Sequence, residues 1–443
     1  MRLSVFVLLL GLGIASAASA GETILPATPA AGNMNVFATQ LAYGNDGAVY
    51  TVNVEPAAGT PTGVNLQTVV RRGRQNLTTG VWSWTSKVIE NRTMDDPFHT
   101  QPSIALDRTG RIHIVYNMHN MPWQYAVSAK ANDISSFEFK GEFVTDETIS
   151  LVKFKSATPF PSLGSAAIPG TQITYPAFFK DRRGELFVTY RQAVRPKRPF
   201  AEREYACGIA RFDASARTWK ALGGAINVTA ADAQEAGTVT AFCAQSGWWG
   251  YHPRLWFDTA NVMHVSWAWR QGNAGGDCTN LSYAYSTDGG KTFRRSNGTA
   301  YTLPIRVNDG GSVLASPTTK VSCRTEIDST VDGRPLISFQ NYAAGFAMVD
   351  RQASGAWGQP YAAPYGGQVV MSGGSPELWS FASGPRILDG DLGQRWTLLH
   401  QETGYCTVKA LAMPTKQAFL VHAQACDHSL VKVVLMPWSG SGS

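Results

Sequence analysis

The sequence has no long apolar segment after its first twenty residues, and it has no dense run of lysine or arginine. The first absence argues against a transmembrane helix, which needs about 20 consecutive apolar residues. The second argues against nucleic acid as a partner, as does the lack of any recognised nucleic-acid-binding module. No Cys-x-x-Cys pair and no paired Cys/His spacing indicates a zinc site. No long helical pattern and no linker divides the chain, which favours a single domain.

The one extended apolar run lies at the N-terminus. Arg2 is followed by apolar residues 3–14 and then by Ala18, Ser19 and Ala20, which is typical of a signal peptide and its cleavage site. The run is too short for a membrane anchor. We therefore expect residues 1–20 to be removed and residues 21–443 to form a secreted or periplasmic protein that is not attached to a membrane.

Charged residues make up only 16% of the chain, and the formal net charge is +6 at pH 7. Removal of Arg2 with the signal peptide lowers that charge by one. A mild positive excess suits an anionic polysaccharide as partner. Many exported proteins with no polyanionic partner are as basic, so charge alone does not identify the partner.

Glycine, proline and aromatic residues are abundant, with 43 Gly, 23 Pro and 11% Phe, Trp and Tyr. Such a composition is typical of many short strands joined by tight turns. A mature chain of about 420 residues would ordinarily suggest two or three domains. Repetitive all-β folds are the exception, because one β-propeller takes up a chain of this length.

Six cysteines occur in the chain, at positions 207, 243, 278, 323, 406 and 426. An even number in an exported protein predicts disulfide bonds, although the sequence does not determine their pairing. Cys406 and Cys426 lie in the last predicted strands. A bond between these two would help to close a ring of blades.

Three segments align without gaps, beginning at Pro102, Pro176 and Pro253. Each has a proline, alternating apolar residues, an aspartate five positions later, a turn with Gly or Asn eight positions after the proline, and a second alternating run. This pattern predicts a strand–turn–strand unit. Weaker copies begin at positions 39, 324, 386 and 409, so that seven copies predict an all-β, seven-bladed β-propeller.

The segment from Ser286 to Phe293, Ser-Thr-Asp-Gly-Gly-Lys-Thr-Phe, resembles the Asp box of sialidase-like propellers. Its aspartate and hydroxyl side chains are expected to hydrogen-bond to the turn backbone, while the aromatic ring packs into the blade. The motif therefore indicates the fold and carries no catalytic information.

Four residues are placed by the repeat where a pocket could form. His99 precedes the first strand of one hairpin, and His119 follows its second strand, so both side chains reach the same rim. Tyr175 and Arg191 occupy similar positions on the next hairpin. Each residue alone is more simply interpreted as a polar residue of the surface or of a turn. The convergence of all four favours a functional site. His113 and His264 lie at one aligned position inside apolar strands, and we interpret them as structural.

These positions carry a resemblance to BNR-type β-propeller polysaccharide lyases, a group that includes ulvan lyases and L-rhamnosyl-glucuronate lyases. The resembling motifs are Asp96-x-x-His99, Asn-Met-His119-Asn-x-Pro, Thr-Tyr175-Pro through Tyr-Arg191, and His252 through Arg270. They cover residues 95–293 well and the remainder loosely. The spacing of 20 residues between the histidines and of 16 between Tyr175 and Arg191 agrees with that family's pattern. Residues 193–199, Ala-Val-Arg-Pro-Lys-Arg-Pro, depart from its Gly/Ser-rich turn, which leaves the substrate open.

The resemblance implies a seven-bladed propeller with an active site at the axial rim, in which His99, His119, Tyr175 and Arg191 carry the function. The same stretches supply candidates for substrate binding, some of them aromatic residues able to stack on sugars: Asn117, Asn120, Trp123, Trp248, Tyr251, His252 and Arg270. It allows a structural calcium ion, although we find no ligand motif for one.

The residue types suit β-elimination beside a uronic acid. Arginine can neutralise the uronate carboxylate, as Arg191 would. His99 or His119 is the expected base with Tyr175 as acid, or Tyr175 serves both steps. This chemistry needs no cofactor and no catalytic metal. The expected partner is an anionic, uronate-containing polysaccharide, such as ulvan, a rhamnose-capped glucuronan or a bacterial exopolysaccharide, and the protein is expected to be a monomer.

Two other functions stay open. A sialidase-like or other propeller glycoside hydrolase would need an arginine cluster with Tyr/Glu, or two facing carboxylates. No Arg-Ile-Pro precedes the first blade, but Asp95 and Asp96 lie close to His99. A non-catalytic sugar-binding propeller is the second alternative, in which Trp123, Trp248, Trp249 and Tyr251 would stack on sugars.

Overall fold

The structure is a computed structural model that describes residues 22–25, 38–56, 66–76, 78–92, 99–139, 168–233, 236–272, 277–315, 320–330, 332–363, 367–372, 375–380, 386–391, 395–401, 405–413, 418–425 and 431–437. Its regular elements are β-strands, apart from one short 3-10 helix at Phe200–Glu202. No helix among the described residues is long and apolar enough to cross a membrane.

The strands of the first third of the chain are β1 (Glu22–Leu25), β2 (Leu41–Tyr43), β3 (Val49–Pro56), β4 (Leu66–Gln75), β5 (Trp82–Arg92), β6 (Ser103–Leu106), β7 (Ile112–Val115), β8 (His119–Met121), β9 (Tyr125–Ser128) and β10 (Phe137–Phe139). Those of the middle are β11 (Ile173–Lys180), β12 (Leu186–Arg195), β13 (Glu204–Asp213), β14 (Thr218–Ala221), β15 (Gly224–Val228), β16 (Gly237–Ala241), β17 (Trp248–Phe257), β18 (Met263–Gln271), β19 (Asn280–Ser286) and β20 (Ser312–Ala315). Those of the last part are β21 (Val321–Ser329), β22 (Pro335–Asn341), β23 (Gly345–Asp350), β24 (Tyr361–Ala362), β25 (Gly367–Ser372), β26 (Ser375–Ser380), β27 (Arg386–Asp391), β28 (Arg395–Gln401), β29 (Tyr405–Met413), β30 (Ala418–Ala425) and β31 (Val431–Pro437).

The strands form a succession of antiparallel, mostly four-stranded sheets. Four of these sheets are β2-β3-β4-β5, β6-β7-β9-β10, β21-β22-β23-β24 and β25-β26-β27-β28. Two further four-stranded units, β11 to β14 and β17 to β20, lie within one nine-stranded sheet, because β13 and β17 pair in parallel at Tyr205 and Trp249. A small hairpin, β15-β16, is inserted between those units. The all-β, single-domain architecture expected from the sequence is confirmed.

The turns of the aligned repeats are held by their aspartates. Asp107 Oδ1 accepts hydrogen bonds from the backbone N–H groups of Thr109 and Arg111, at 2.8 and 3.0 Å. Gly110 follows with φ of 83°, a conformation that costs glycine little because it has no Cβ. In the unit that begins at Pro253, Asn261 takes the place of the glycine with φ of 64°. The aspartate-and-glycine spacing of the sequence is therefore a turn signal, as predicted.

The Asp box has the local role expected for it. Asp288 accepts hydrogen bonds from the backbone N–H groups of Lys291 and Thr292, both at 3.0 Å. Phe293 is fully buried in the core that the β11–β14 and β17–β20 units share. One copy of the repeat differs from the rest: the segment at Arg386 forms β27 and β28, the third and fourth strands of its sheet rather than the first two.

The hydrophobic core lies between successive sheets. Ile104 and Tyr50 share one cluster between the first two sheets, and Val115 and Val188 share the next. Leu25, Val49 and Val433 form a cluster between the first sheet and the last one. The last sheet has the order β1-β31-β30-β29, so that a strand from the N-terminal end completes a sheet from the C-terminal end.

Two disulfide bonds are present, Cys207–Cys243 and Cys278–Cys323. The first joins β13 to the segment before β17, and the second joins the segment before β19 to β21. The expectation of disulfides is confirmed for these four cysteines. The side chain of Cys406 and the whole of Cys426 lie outside the described residues.

Two buried histidines repeat the same contacts in two sheets. His113 Nδ1 lies 2.6 Å from the Tyr125 hydroxyl, and its Nε2 lies 3.2 Å from Asp107 Oδ2. His264 makes the corresponding contacts to Tyr283 and Asp258, at 2.7 and 3.4 Å. Each imidazole lies on the strand that follows the turn, and it links the aspartate of that turn to a tyrosine of the next strand in the sheet.

We predict that His113→Gln lowers the free energy of unfolding by about 1–3 kcal/mol, because a buried polar partner is left unsatisfied. His264→Gln should behave similarly. Urea unfolding of the purified variants measures the effect. Unchanged stability of both variants would contradict a structural role for these rings.

We also predict that the protein loses stability as the pH falls from about 6.5 towards 4. Burial lowers the pKa of His264 to about 4, although Asp258 opposes the shift. Burial likewise lowers the pKa of His113, against the effect of Asp107. The unfolded chain, with histidine pKa values near ~6.5, therefore binds more protons than the folded chain in this interval. Tm measured in steps across the interval should fall, and it should fall less in His264→Gln.

Candidate active site

A short strand between two sheets places His119. After β7 ends at Val115, the chain forms β8 on the edge of the next unit, where His119 pairs with Thr174 of β11. The Asn120 backbone N–H donates to Thr174 Oγ1 at 2.8 Å and secures this pairing. The imidazole of His99 stacks on that of His119, with ring centroids 4.1 Å apart and planes only 2° from parallel. The sequence predicted that these two rings would meet.

Tyr175 lies at an irregularity in β11. The pairing of β11 with β12 shifts between Thr174 and Ala177, and Tyr175 has φ of 58°. A left-handed conformation costs a residue with a Cβ about 1–2 kcal/mol, and such strain is concentrated at functional sites. The Tyr175 ring lies 5.4 Å from that of His99.

His252 repeats this arrangement in the next unit. It also precedes a proline, has φ of 46° and lies where the pairing of β17 with β18 shifts. Its ring is 4.4 Å from that of Tyr175. Burial, together with the charges of Arg191 and Arg254, holds the pKa of His252 well below its ordinary value. His252 therefore stays neutral at physiological pH.

Arg191 is the buried charge of the site, with only 4% of its surface exposed. Its Cζ lies 4.8 Å from the ring centroids of Tyr175 and Tyr205 and 4.9 Å from that of Tyr251. Burial opposes its charge, but Tyr251, Tyr175 and Tyr205 more than offset that effect and raise its pKa. Arg191 is therefore cationic at physiological pH.

No ion pair joins Arg191 to a carboxylate within the part of the chain that the structure describes, and its Nε has no hydrogen-bond partner there. Asp95 and Asp96 lie outside that part. A buried charge is costly unless it is paired. Aromatic faces offset part of this cost by cation–π attraction, and the Nε donor of the guanidinium has no partner among the described residues. The arrangement suits an anionic ligand.

Arg270 and Trp249 lie beside the tyrosines. Arg270 Nη1 donates to the Tyr251 hydroxyl at 3.4 Å, and its Cζ lies 4.4 Å from the Trp249 ring. Its Nε has no hydrogen-bond partner among the described residues. Arg270 stands 17 residues after Pro253, as His119 stands 17 after Pro102. The repeat therefore brings a second arginine to the same rim.

The other predicted binding residues are placed in different ways. Asn117 and Asn120 are buried on either side of His119, both with positive φ. Trp248 is half-buried. Trp123 is not at the pocket: it is fully buried against Tyr190 in the core, so its ring has no face left for a sugar.

Tyr205 is the site residue that sequence reasoning did not identify. It contacts Arg191 because the β12–β13 pairing sets Arg191 opposite Cys207, two residues from Tyr205. It lies 4.6 Å from Trp249 where β13 pairs with β17. No motif marks it in the sequence. Within the described residues, no group of three or more His, Cys, Asp or Glu side chains could hold a metal ion.

The architecture is similar to that of several solved structures. The polysaccharide lyase Uly1 superimposes with a TM-score of 0.60 at 15% identity, over 94% of this chain and 91% of that one. A PL25 ulvan lyase gives a TM-score of 0.58 at 14% identity, over 94% of each chain. The BP39L lectin from Burkholderia pseudomallei gives 0.51 at 11% identity, over 90% and 96%. At these identities the likeness concerns the fold. No curated protein matches the sequence.

The sequence also matches a family model. The model describes BNR repeat-containing family members, and the match spans residues 64–363, well over half of the chain. Those residues include all four of His99, His119, Tyr175 and Arg191. The chain belongs to the BNR repeat-containing family.

Proposed function

We propose that this protein is a secreted polysaccharide lyase that cleaves the bond 4-linked to a uronic acid by β-elimination. The observation that carries the proposal is the buried guanidinium of Arg191, held by three tyrosine rings beside a stacked pair of histidines. A carboxylate bound there is shielded from water. A bidentate arginine contact is strongest in such a site.

Neutralising the carboxylate makes the proton on the neighbouring carbon acidic. In the proposed reaction a base removes that proton, the bond to the 4-linked oxygen breaks, and an acid protonates the departing oxygen. The product is a sugar with a carbon–carbon double bond. Electrons and protons balance without a nucleophile, a cofactor or a catalytic metal, so none is part of the proposal.

The histidine pair and Tyr175 supply the proton transfers. Two imidazolium rings at 4.1 Å would repel each other, so the pair favours at least one neutral ring, which can accept a proton. Tyr175 is 5.4 Å from His99, and its hydroxyl is the proposed donor to the leaving oxygen. In the alternative assignment, the Tyr175 hydroxyl serves as both base and acid. It removes the proton and then protonates the leaving oxygen on the same face of the sugar.

We propose that the four-stranded units are the seven blades of a β-propeller. The separate sheets, the two units within the nine-stranded sheet and the β1–β31 pairing support this count. In that arrangement the site lies at the axial rim, between the β6–β10 and β11–β14 blades. Export after removal of residues 1–20 accords with two disulfide bonds, which form in oxidising compartments. We propose that the protein acts as a monomer.

The proposed substrate is a glycan that contains both uronate and rhamnose, such as ulvan. The similar PL25 ulvan lyase has been solved bound to -[GlcA(1-4)Rha3S]-. The second arginine at the rim, Arg270, supports an anionic substrate, because its Nε has no hydrogen-bond partner among the described residues.

Elimination can be separated from the alternatives in one assay. The purified protein is incubated with uronate-containing polysaccharides while ultraviolet absorbance and new reducing ends are followed together. A lyase raises both, because only elimination forms a conjugated double bond. New reducing ends without absorbance would identify a hydrolase, and binding without either would identify a sugar-binding protein.

We predict that Arg191→Ala lowers kcat/KM for elimination by about 10²–10³, because the developing negative charge is no longer stabilised. Arg191→Lys should recover only part of this loss, since lysine lacks the planar fork. Arg211→Ala is the control, since Arg211 is 41% exposed and pairs with Glu185 away from the site. Near-normal elimination by folded Arg191→Ala would refute the site.

We predict that Tyr175→Phe lowers the elimination rate by about 10²–10⁴, the usual range for a general acid or base. The ring contacts of Tyr175 are kept, so urea unfolding should be little changed. Tyr43→Phe, in the first sheet, is the matched control and should retain full activity. If Tyr175→Phe and Tyr43→Phe are equally active, the hydroxyl of Tyr175 has no role in proton transfer.

A further inference from the structure

The segment between β12 and β13 carries an exposed aromatic ring near the site. It includes residues 196–199, the end of the stretch that departs from the motif of the lyase family, and the 3-10 helix Phe200–Glu202. Phe200 is 52% exposed, more than any other described phenylalanine, tyrosine or tryptophan. Single exposed apolar residues are ordinary on protein surfaces. Phe200 differs from such residues, because its segment is firmly held and because it lies near the candidate active site.

The segment is firmly held. Arg198 binds the Asp232 carboxylate with two hydrogen bonds, at 2.8 and 3.0 Å, and donates to Ser246 Oγ at 3.0 Å. Ala201 packs so closely on Gly272 that a Cβ there would lie 2.7 Å from the Ala201 carbonyl oxygen. The Phe200 ring is therefore presented on a fixed support, which lowers the entropic cost of binding to it.

Ring contacts connect Phe200 to the candidate active site. Phe200 stands edge-on to Trp249, with centroids 5.0 Å apart and planes at 74°. Trp249 lies 4.6 Å from Tyr205, whose ring is 4.8 Å from the Arg191 Cζ. A continuous series of ring contacts therefore runs from the exposed ring of Phe200 to Arg191.

Cationic groups lie against Phe200 and against its neighbour Trp249. The Arg203 Cζ lies 5.6 Å from the centroid of the Phe200 ring. The Arg270 Cζ lies 4.4 Å from the centroid of the Trp249 ring. Aromatic rings stack on the apolar face of a sugar, and guanidinium groups bind its carboxylate or sulfate. Both kinds of group are present here within one patch.

We infer that Phe200, Arg203 and Arg270 form a subsite for an acidic sugar of the same polysaccharide, one or more units away from the uronate at Arg191. This inference rests on the proposed function. It makes the segment between β12 and β13, residues 196–203, a determinant of substrate length and identity. Chains long enough to reach Phe200 gain binding energy that short fragments do not.

The test compares long and short substrates in Phe200 variants, with ulvan as the polymer and its shortest cleavable oligosaccharide as the fragment. Phe200→Ala should raise KM for the polymer about three- to tenfold with kcat little changed. KM for the fragment should not change. Phe200→Trp should restore polymer binding, because it provides a ring again. Affinity electrophoresis of the same variants in ulvan-containing gels measures binding without catalysis.

Phe139→Ala is the matched control, since Phe139 is 47% exposed on the edge strand β10. It should affect neither substrate. Equal effects of Phe200→Ala on polymer and fragment, or no effect on either, would overturn the subsite while the lyase function stands. If the wild-type protein eliminates neither substrate, the proposed function fails instead. In that case, a mobility of Phe200→Ala in ulvan-containing gels equal to that of the wild-type protein would reject the subsite as well.

Discussion

Each four-stranded sheet of this protein has two faces to bury and can bury both only between two neighbouring sheets. The core clusters show this directly: Ile104 packs towards the first sheet, and Val115 packs towards the third unit. Leu25 and Val433 continue the pattern between the last sheet and the first. An isolated sheet with two apolar faces would expose a large hydrophobic surface and would not be stable. The succession of units is therefore a condition of folding, and it determines where side chains from different units meet.

The candidate site is a consequence of that packing. Its groups come from consecutive units, and none of those units could assemble it alone. β8 leaves its own hairpin to pair with β11, which brings His119 to Tyr175. β12 pairs with β13, which places Tyr205 beside Arg191, and β13 pairs with β17, which brings Tyr251 to the same guanidinium. The buried guanidinium can be tolerated because aromatic rings surround it and hold its charge, and the same surroundings exclude the water that would compete with an anionic ligand.

Much of this organisation can be read from local patterns in the chain. Short-range alternation, turn aspartates and glycines depend only on backbone sterics and hydrogen bonding within a few residues, so the hairpins from Pro102, Pro176 and Pro253 could be predicted. His99 and His119 could be placed together because a hairpin returns the chain to the same edge. Tyr175 and Arg191 followed from the same repeat. His113 and His264 were identified as structural because they repeat at one position within apolar strands.

Contacts between units depend on packing that no local pattern encodes. Tyr205 has no motif, and its ring packs between Arg191 of the neighbouring strand and Trp249 of the next unit. Trp123 resembles a sugar-stacking residue in sequence, yet its indole is needed to fill the core against Tyr190. Phe200, directly after the residues that depart from the lyase motif, becomes exposed beside Trp249 through the docking of one loop on a neighbouring strand. The sequence by itself thus determined the hairpins and the placement of the four candidate residues at neighbouring hairpin ends, since these depend on local geometry. Only the tertiary structure decided which aromatic rings surround Arg191, which fill the core and which face solvent, since burial is a property of the assembled sheets.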